Sequence, residues 1–193
     1  MCGIVGLFIK DKALEPRLGE LTAQMLATMC ERGPDSAGFA VYGDAEDGKA
    51  KLTVQSARAD QDFAGLDAAL SKAIGAPVEI ERKSSHAVLT VPADKADAAR
   101  AAIKADHPGV RIMSAGETIE IYKEVGWPTD VSDRFHLKQM SGSHAIGHTR
   151  MATESAVTTL GAHPFSTGAD QCLVHNGSLS NHNRLRRKLA RLG

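Results

Sequence analysis

The chain has no surplus of either charge: 23 Lys and Arg balance 23 Asp and Glu. Its total therefore gives no electrostatic footprint for nucleic acid or an anionic membrane. Only three cysteines occur, Cys2, Cys30 and Cys172, with no CxxC spacing. That argues against a secreted disulfide scaffold and makes a reducing, cytoplasmic setting the expectation. No apolar run is long enough to span a bilayer, and no basic segment followed by an apolar one opens the chain. Neither a P-loop nor a GxGxxG fingerprint is present, so a nucleotide site has no support. Aromatic residues make up only 4% of the chain, which predicts a core built from aliphatic side chains.

What is there begins at the second residue. Cys2 follows the initiator Met in Met1-Cys2-Gly3-Ile4-Val5-Gly6. Trimming of Met1 would leave one residue with both a thiol and a free α-amine. The amine titrates at about 7.7 to 8.0 and the thiol near 8.5, so the residue would be a nucleophile carrying its own base. Residues 3–9 are nearly all apolar or glycine, the pattern of a strand covered on both faces. From Pro16 onward, Leu18, Leu21, Met25, Leu26 and Met29 trace a helix ended by Gly33-Pro34. Strands are predicted over 37–42 and 51–57, and a helix through Phe63, Leu66, Leu70 and Ile74 closed by Gly75. Residues 77–125 read as a unit of their own, a small inserted α+β module. It would hold a strand at 86–91, an Ala-rich helix at 94–106, and strands at 110–113 and 117–125, with Trp127-Pro128-Thr129-Asp130 as exit linker. A strand at 144–150, a loop through His163-Pro164-Phe165, a strand at 171–175 and a basic helix with Leu185, Leu189 and Leu192 on one face complete the chain.

Three further segments set charged or amide side chains beside glycines at strand ends: Arg32-Gly33-Pro34-Asp35-Ser36, Gly147-His148-Thr149-Arg150-Met151-Ala152-Thr153, and His175-Asn176-Gly177. Glycine there lets backbone approach a ligand closely. Each has an ordinary reading when taken alone. Asn-Gly makes hairpin turns, and Thr-Arg can be a strand-end ion pair. His144 and His148 are four apart, which on a strand separates their Cα atoms by about 13 Å and rules out a shared metal. Cys30 and Cys172 read as small core residues. The Arg184, Arg186, Arg187, Lys188 and Arg191 cluster reads as a solvated or partner-facing helix side that also complements the helix dipole.

In order and together with Cys2, these segments resemble the motifs of the class II glutamine amidotransferases, whose N-terminal cysteine is the nucleophile. The resemblance covers residues 2–43 and 144–193. It implies an α+β fold, the four-layer αββα sandwich of the N-terminal-nucleophile hydrolases, over residues 2–193 and interrupted by the module at 77–125. It implies hydrolysis of L-glutamine to L-glutamate and ammonia through a Cys2 thioester, with ammonia passed to a synthase partner. By the same resemblance Cys2 is the nucleophile, its α-amine the base, Asn176 and Gly177 the oxyanion hole, Arg150 the clamp on the glutamine α-carboxylate with Thr153 supporting it, and Arg32 and Asp35 a structural pair. No metal or cofactor is implied for this half-reaction. The insertion looks most like small stand-alone amidotransferase subunits related to glutamate synthase and N-methylglutamate synthase, whose partner subunits would carry FMN and an iron–sulfur cluster. Relatives carry an aspartate for the glutamine α-amine after the His-Asn-Gly segment. No such motif follows here before Gly193, so the expectation is a chain that stops inside the domain. Two other readings remain from the residues: an N-terminal-nucleophile hydrolase of another amide, and a non-catalytic regulatory subunit that keeps the fold.

Overall fold

The computed structural model describes residues 1–152, 156–177 and 180–192. Strands β1 (Gly3–Phe8), β2 (Ser36–Tyr42), β7 (Ile119–Val125) and β8 (His144–Arg150) form one antiparallel sheet in the order β1-β8-β2-β7. Strands β3 (Lys49–Gln55), β4 (Glu79–Lys83), β5 (His86–Pro92) and β6 (Arg111–Gly116) form a second, in the order β4-β5-β3-β6. A short ribbon pairs β9 (Phe165–Gly168) with β10 (Gln171–Leu173). The helices are α1 (Leu18–Ala27), α2 (Ala59–Asp62), α3 (Leu66–Ile74), α4 (Ala96–Asp106), α5 (Pro128–Arg134) and α6 (His182–Ala190).

Alternation along the first sheet explains its two faces. Val5, Ala37, Phe39, Val41, Tyr122 and Ala145 point toward α1 and α5 and bury against Leu18, Leu26, Val131 and Phe135. Leu18 and Leu26 are essentially inaccessible, and each contributes about 1.5 to 3 kcal/mol by leaving water. In the second sheet Leu52, Val54, Leu89 and Val91 face Leu66 and Leu70 of α3 and Ala99 and Ile103 of α4. Two helix-backed antiparallel sheets make the fold α+β, consistent with an αββα sandwich. Among the described residues no helix is long and apolar enough to cross a membrane.

The sheets draw the inserted unit differently from the expected 77–125. Lys49–Gln55 is a central strand of the second sheet, whereas Ile119–Val125 pairs with β2 in the first. Residues 49–116 together build the second sheet, in the order β3-α2-α3-β4-β5-α4-β6 with every neighbouring strand antiparallel. That is the split βαβ, ferredoxin-like arrangement. The chain leaves the first sheet at Tyr42 and returns at Ile119, and these two residues are cross-strand partners. The other face of the module lies against β7 and α5: Val88 joins the first core, and His86 sits edge-on to Phe135 at 4.8 Å. The expected exit linker instead opens α5, with Pro128 in its first turn. The apolar stripe of α6 is uncovered, with Leu189 at 65% exposure.

Candidate functional site

Antiparallel pairing of β1 with β8 sets Gly3 opposite Thr149, so Cys2 emerges beside Arg150. Thr149 fixes this end of β1. Its hydroxyl accepts the Gly3 N–H at 3.2 Å and donates to Met29 O at 3.1 Å, tying the strand to the end of the α1 segment. Cys2 is half-buried, with Sγ 3.9 Å from Met151 O. The α-amine of Met1 lies 3.1 Å from Met151 Sδ.

The Arg-Gly-Pro-Asp segment braces the same strand end. Asp35 donates its N–H to Arg150 O at 3.1 Å, and its carboxylate accepts the Ala152 N–H at 2.7 Å. Pro34 forms a bridge to Arg150. This approach needs Gly33, because a Cβ there would lie 2.4 Å from the Thr149 carbonyl carbon. The support expected of Asp35 is thus directed at Ala152. Arg32 is exposed, and no ion pair between it and Asp35 occurs among the described residues.

Arg150 is only 8% exposed. Its Nη1 and Nη2 donate to Ala156 O at 3.3 and 3.4 Å, and Gly161 packs close to the same guanidinium. A loop over 156–164 is therefore laid across it. Thr153 lies outside the described residues.

Asn176 is brought to Cys2 across 174 positions of sequence. Its Nδ2 donates to Cys2 O at 2.9 Å. Gly177 follows, exposed, with φ at 152°. Among the described residues the segment joins no pair of strands: β10 ends at Leu173, and the ribbon turns earlier, at Asp170. Inaccessible His148 holds the residue before Asn176, with Nε2 3.0 Å from His175 O. A carbonyl only accepts, so Nε2 carries the proton. Burial is the main cause that pushes the His148 pKa below the usual histidine value. His144 instead stacks on Tyr42 at 3.8 Å, so the two histidines serve separate places. Among the described residues no cluster of three or more His, Cys, Asp or Glu is placed to hold a metal.

Two features of the site escaped the sequence reading. Lys123 is 4% exposed, with Nζ donating to Ala162 O at 2.8 Å and Pro164 O at 3.2 Å, over the Phe165 ring. Burial lowers its pKa to about 8. A Lys in phase with Ile119 and Ile121 on one strand was the available signal. Asp170 accepts N–H groups from Glu117, Thr118 and Ile119 at 2.8 to 3.0 Å, anchoring the ribbon that leads to Asn176 onto the β6–β7 turn. Cys30 is buried, as expected, and burial raises the pKa of the half-buried Cys172 thiol beside Tyr42.

No family model matches the chain. A protein of Rhizobium meliloti named glutamine amidotransferase-like protein GlxB is 63% identical over 193 residues, covering 100% of this chain and 64% of its own length. A protein of Methanothermobacter thermautotrophicus, named provisionally as a glutamine amidotransferase, is 32% identical over 214 residues, covering 100% of this chain and 66% of its own length. A glutamine–fructose-6-phosphate aminotransferase of Idiomarina loihiensis is 33% identical over 84 residues, 44% of this chain and 14% of its own. The chain thus spans just under two thirds of the length of the first two. Along its whole length the chain is similar to these two proteins, whose names carry the words glutamine amidotransferase.

Proposed function

We propose that the chain carries out the glutaminase half of an amidotransferase reaction, with Cys2 as nucleophile once Met1 is removed. The observation that carries this reading is the convergence of Cys2, Arg150 and Asn176, from the two ends of the sequence, at one end of the first sheet. Cys2 Sγ adds to the side-chain carbonyl carbon of glutamine while the Cys2 α-amine takes the thiol proton. The carbonyl oxygen becomes an oxyanion. Asn176 Nδ2 has two N–H donors, one of them engaged with Cys2 O, and the other serves the oxyanion beside the Gly177 N–H. Collapse returns the proton to the departing nitrogen and releases ammonia. Water then adds to the thioester, freeing glutamate and the thiol. Arg150 suits the substrate α-carboxylate because a guanidinium presents paired, fixed donors, with Thr153 assisting.

The ammonia would pass to a synthase partner in the cytoplasm. The finer reading is of a stand-alone subunit of the glutamate synthase or N-methylglutamate synthase type, with FMN and an iron–sulfur cluster on partner subunits and none on this chain. The experiment is glutamate release from glutamine by the full-length protein with its partner, alongside an intact-mass measurement. Activity should require loss of Met1 and vanish in Cys2→Ala. Release that survives Cys2→Ala would sink the mechanism. Failure of a glutamine-analogue diazo-ketone to label Cys2 would point instead to a scaffold.

A further inference from the structure

The loop over 156–164 that lies on Arg150 is held from below by two consecutive residues of one strand. Side chains of neighbouring strand residues leave opposite faces of a sheet, and β7 is the edge of the first sheet, so both can reach a loop that wraps that edge. Lys123 takes Ala162 O and Pro164 O. Glu124 accepts the hydroxyl of Thr159. The same carboxylate accepts the Ser85 hydroxyl at 2.8 Å and the Val125 N–H at 2.9 Å, with Arg134 at 3.7 Å. Ser85 belongs to the inserted module, in the turn between β4 and β5 beside Ser84, whose φ is positive. Burial opposes the charge on Glu124, but the bonds from Thr159, Ser85 and Val125 outweigh it and hold its pKa below the usual carboxylate value.

A continuous path of bonds results: Ser85 of the module, the Glu124 carboxylate, Thr159, the loop, and the Ala156 carbonyl against the Arg150 guanidinium. Within the loop, Thr159 also accepts the Ala162 N–H through its carbonyl at 3.2 Å, so displacing Thr159 disturbs both ends of the segment. We infer that Glu124 is a positioning residue for the Arg150 substrate clamp and that the inserted module sets the clamp through Ser85. The inference rests on the proposed role of Arg150. Its physical basis is that a carboxylate with two hydroxyl donors has one preferred placement, and a shift of the β4–β5 turn moves the loop with it.

The test uses the full chain with Glu124→Ala, Ser85→Ala and both together. It reads amide hydrogen exchange at Gly161 and Ala162, and the kcat and KM of glutamate release. Glu124→Ala should speed exchange at those two amides about tenfold and raise the glutamine KM about tenfold, with kcat within about twofold. Ser85→Ala should do the same about threefold, and the double variant should match Glu124→Ala because Ser85 acts through that carboxylate. Unchanged exchange in Ser85→Ala, or effects of the two substitutions that simply multiply, would overturn the inference. So would a fall in kcat with no change in KM. If the wild-type chain releases no glutamate, the glutaminase reading fails, while the exchange arm still decides whether the module braces the loop.

Discussion

The side-chain amide of Asn176 meets the backbone carbonyl of Cys2 at 2.9 Å, across 174 positions of sequence. The contact places a neutral N–H donor on the residue whose thiol would attack, where negative charge would develop on a bound substrate. Replacing Asn176 by Ala should lower kcat by about 10² to 10³ and leave the glutamine KM within about threefold. Because Asn176 is exposed, the melting free energy should fall by no more than about 1.5 kcal/mol. Steady-state kinetics and a thermal melt on the same samples check both numbers. A large loss of stability with kcat preserved would assign Asn176 to architecture alone.

Lys123 makes stability depend on alkaline pH. Burial lowers its pKa from 10.5 to about 8 in the folded chain. Between those values the unfolded chain binds more protons than the folded one, so unfolding free energy should rise with pH. Below about 8 both states are protonated and the slope from this group disappears. The slope should reach at most about 1.4 kcal/mol per pH unit. Urea unfolding of wild type and Lys123→Met at pH 7, 8.5 and 10 isolates it. Parallel pH dependence in the two proteins would count against a buried ammonium at this position.

Gly38 lies under the loop that Lys123 holds. An added Cβ would stand 2.3 Å from His163 O and 2.5 Å from Lys123 Cβ. Gly38→Ala should therefore destabilise by about 1 to 3 kcal/mol through overpacking. Gly6, in the same sheet, has nothing within 4 Å of the corresponding position, and Gly6→Ala should stay within about 0.5 kcal/mol. Equal denaturation midpoints for the two variants would refute this account of the loop contact.

Local pattern made most of the elements legible. The sequence predicts a strand at 144–150, which is β8, and the apolar spacing from Leu18 to Met29 predicts a helix up to Gly33, of which α1 forms Leu18–Ala27 and a separate 3-10 turn forms Cys30–Arg32. Where the pattern carries little apolar content, it fails. Glu79-Ile80-Glu81-Arg82-Lys83 has one apolar residue because β4 is an edge strand, where charge is tolerated and guards against stray pairing. The α5 segment offers Val131 as its one apolar side chain after Pro128, so it reads as linker. Sheet membership depends on which strands meet over long separations, and strand alternation is the same in either sheet. That is why Lys49–Gln55 and Ile119–Val125 changed places with respect to the module. At the candidate site, the structure brings together Cys2, Arg150 and Asn176, each singled out by a short motif. The partner of the Asp35 carboxylate was not legible, because it is a backbone N–H on a neighbouring strand end that no spacing rule reveals. Lys123 and Glu124 were hidden inside an ordinary alternating strand.

The cross-strand partnership of Tyr42 and Ile119 bears on how the first sheet assembles. A flexible stretch joining those residues would charge its closure entropy against the first hydrogen bond of the β2–β7 ladder. A module that folds around its own core delivers its two ends side by side, so the ladder can zip as though joined by a tight turn. Effective contact order, and with it the folding rate of the sheet that bears Cys2, then depends on whether the module has already folded.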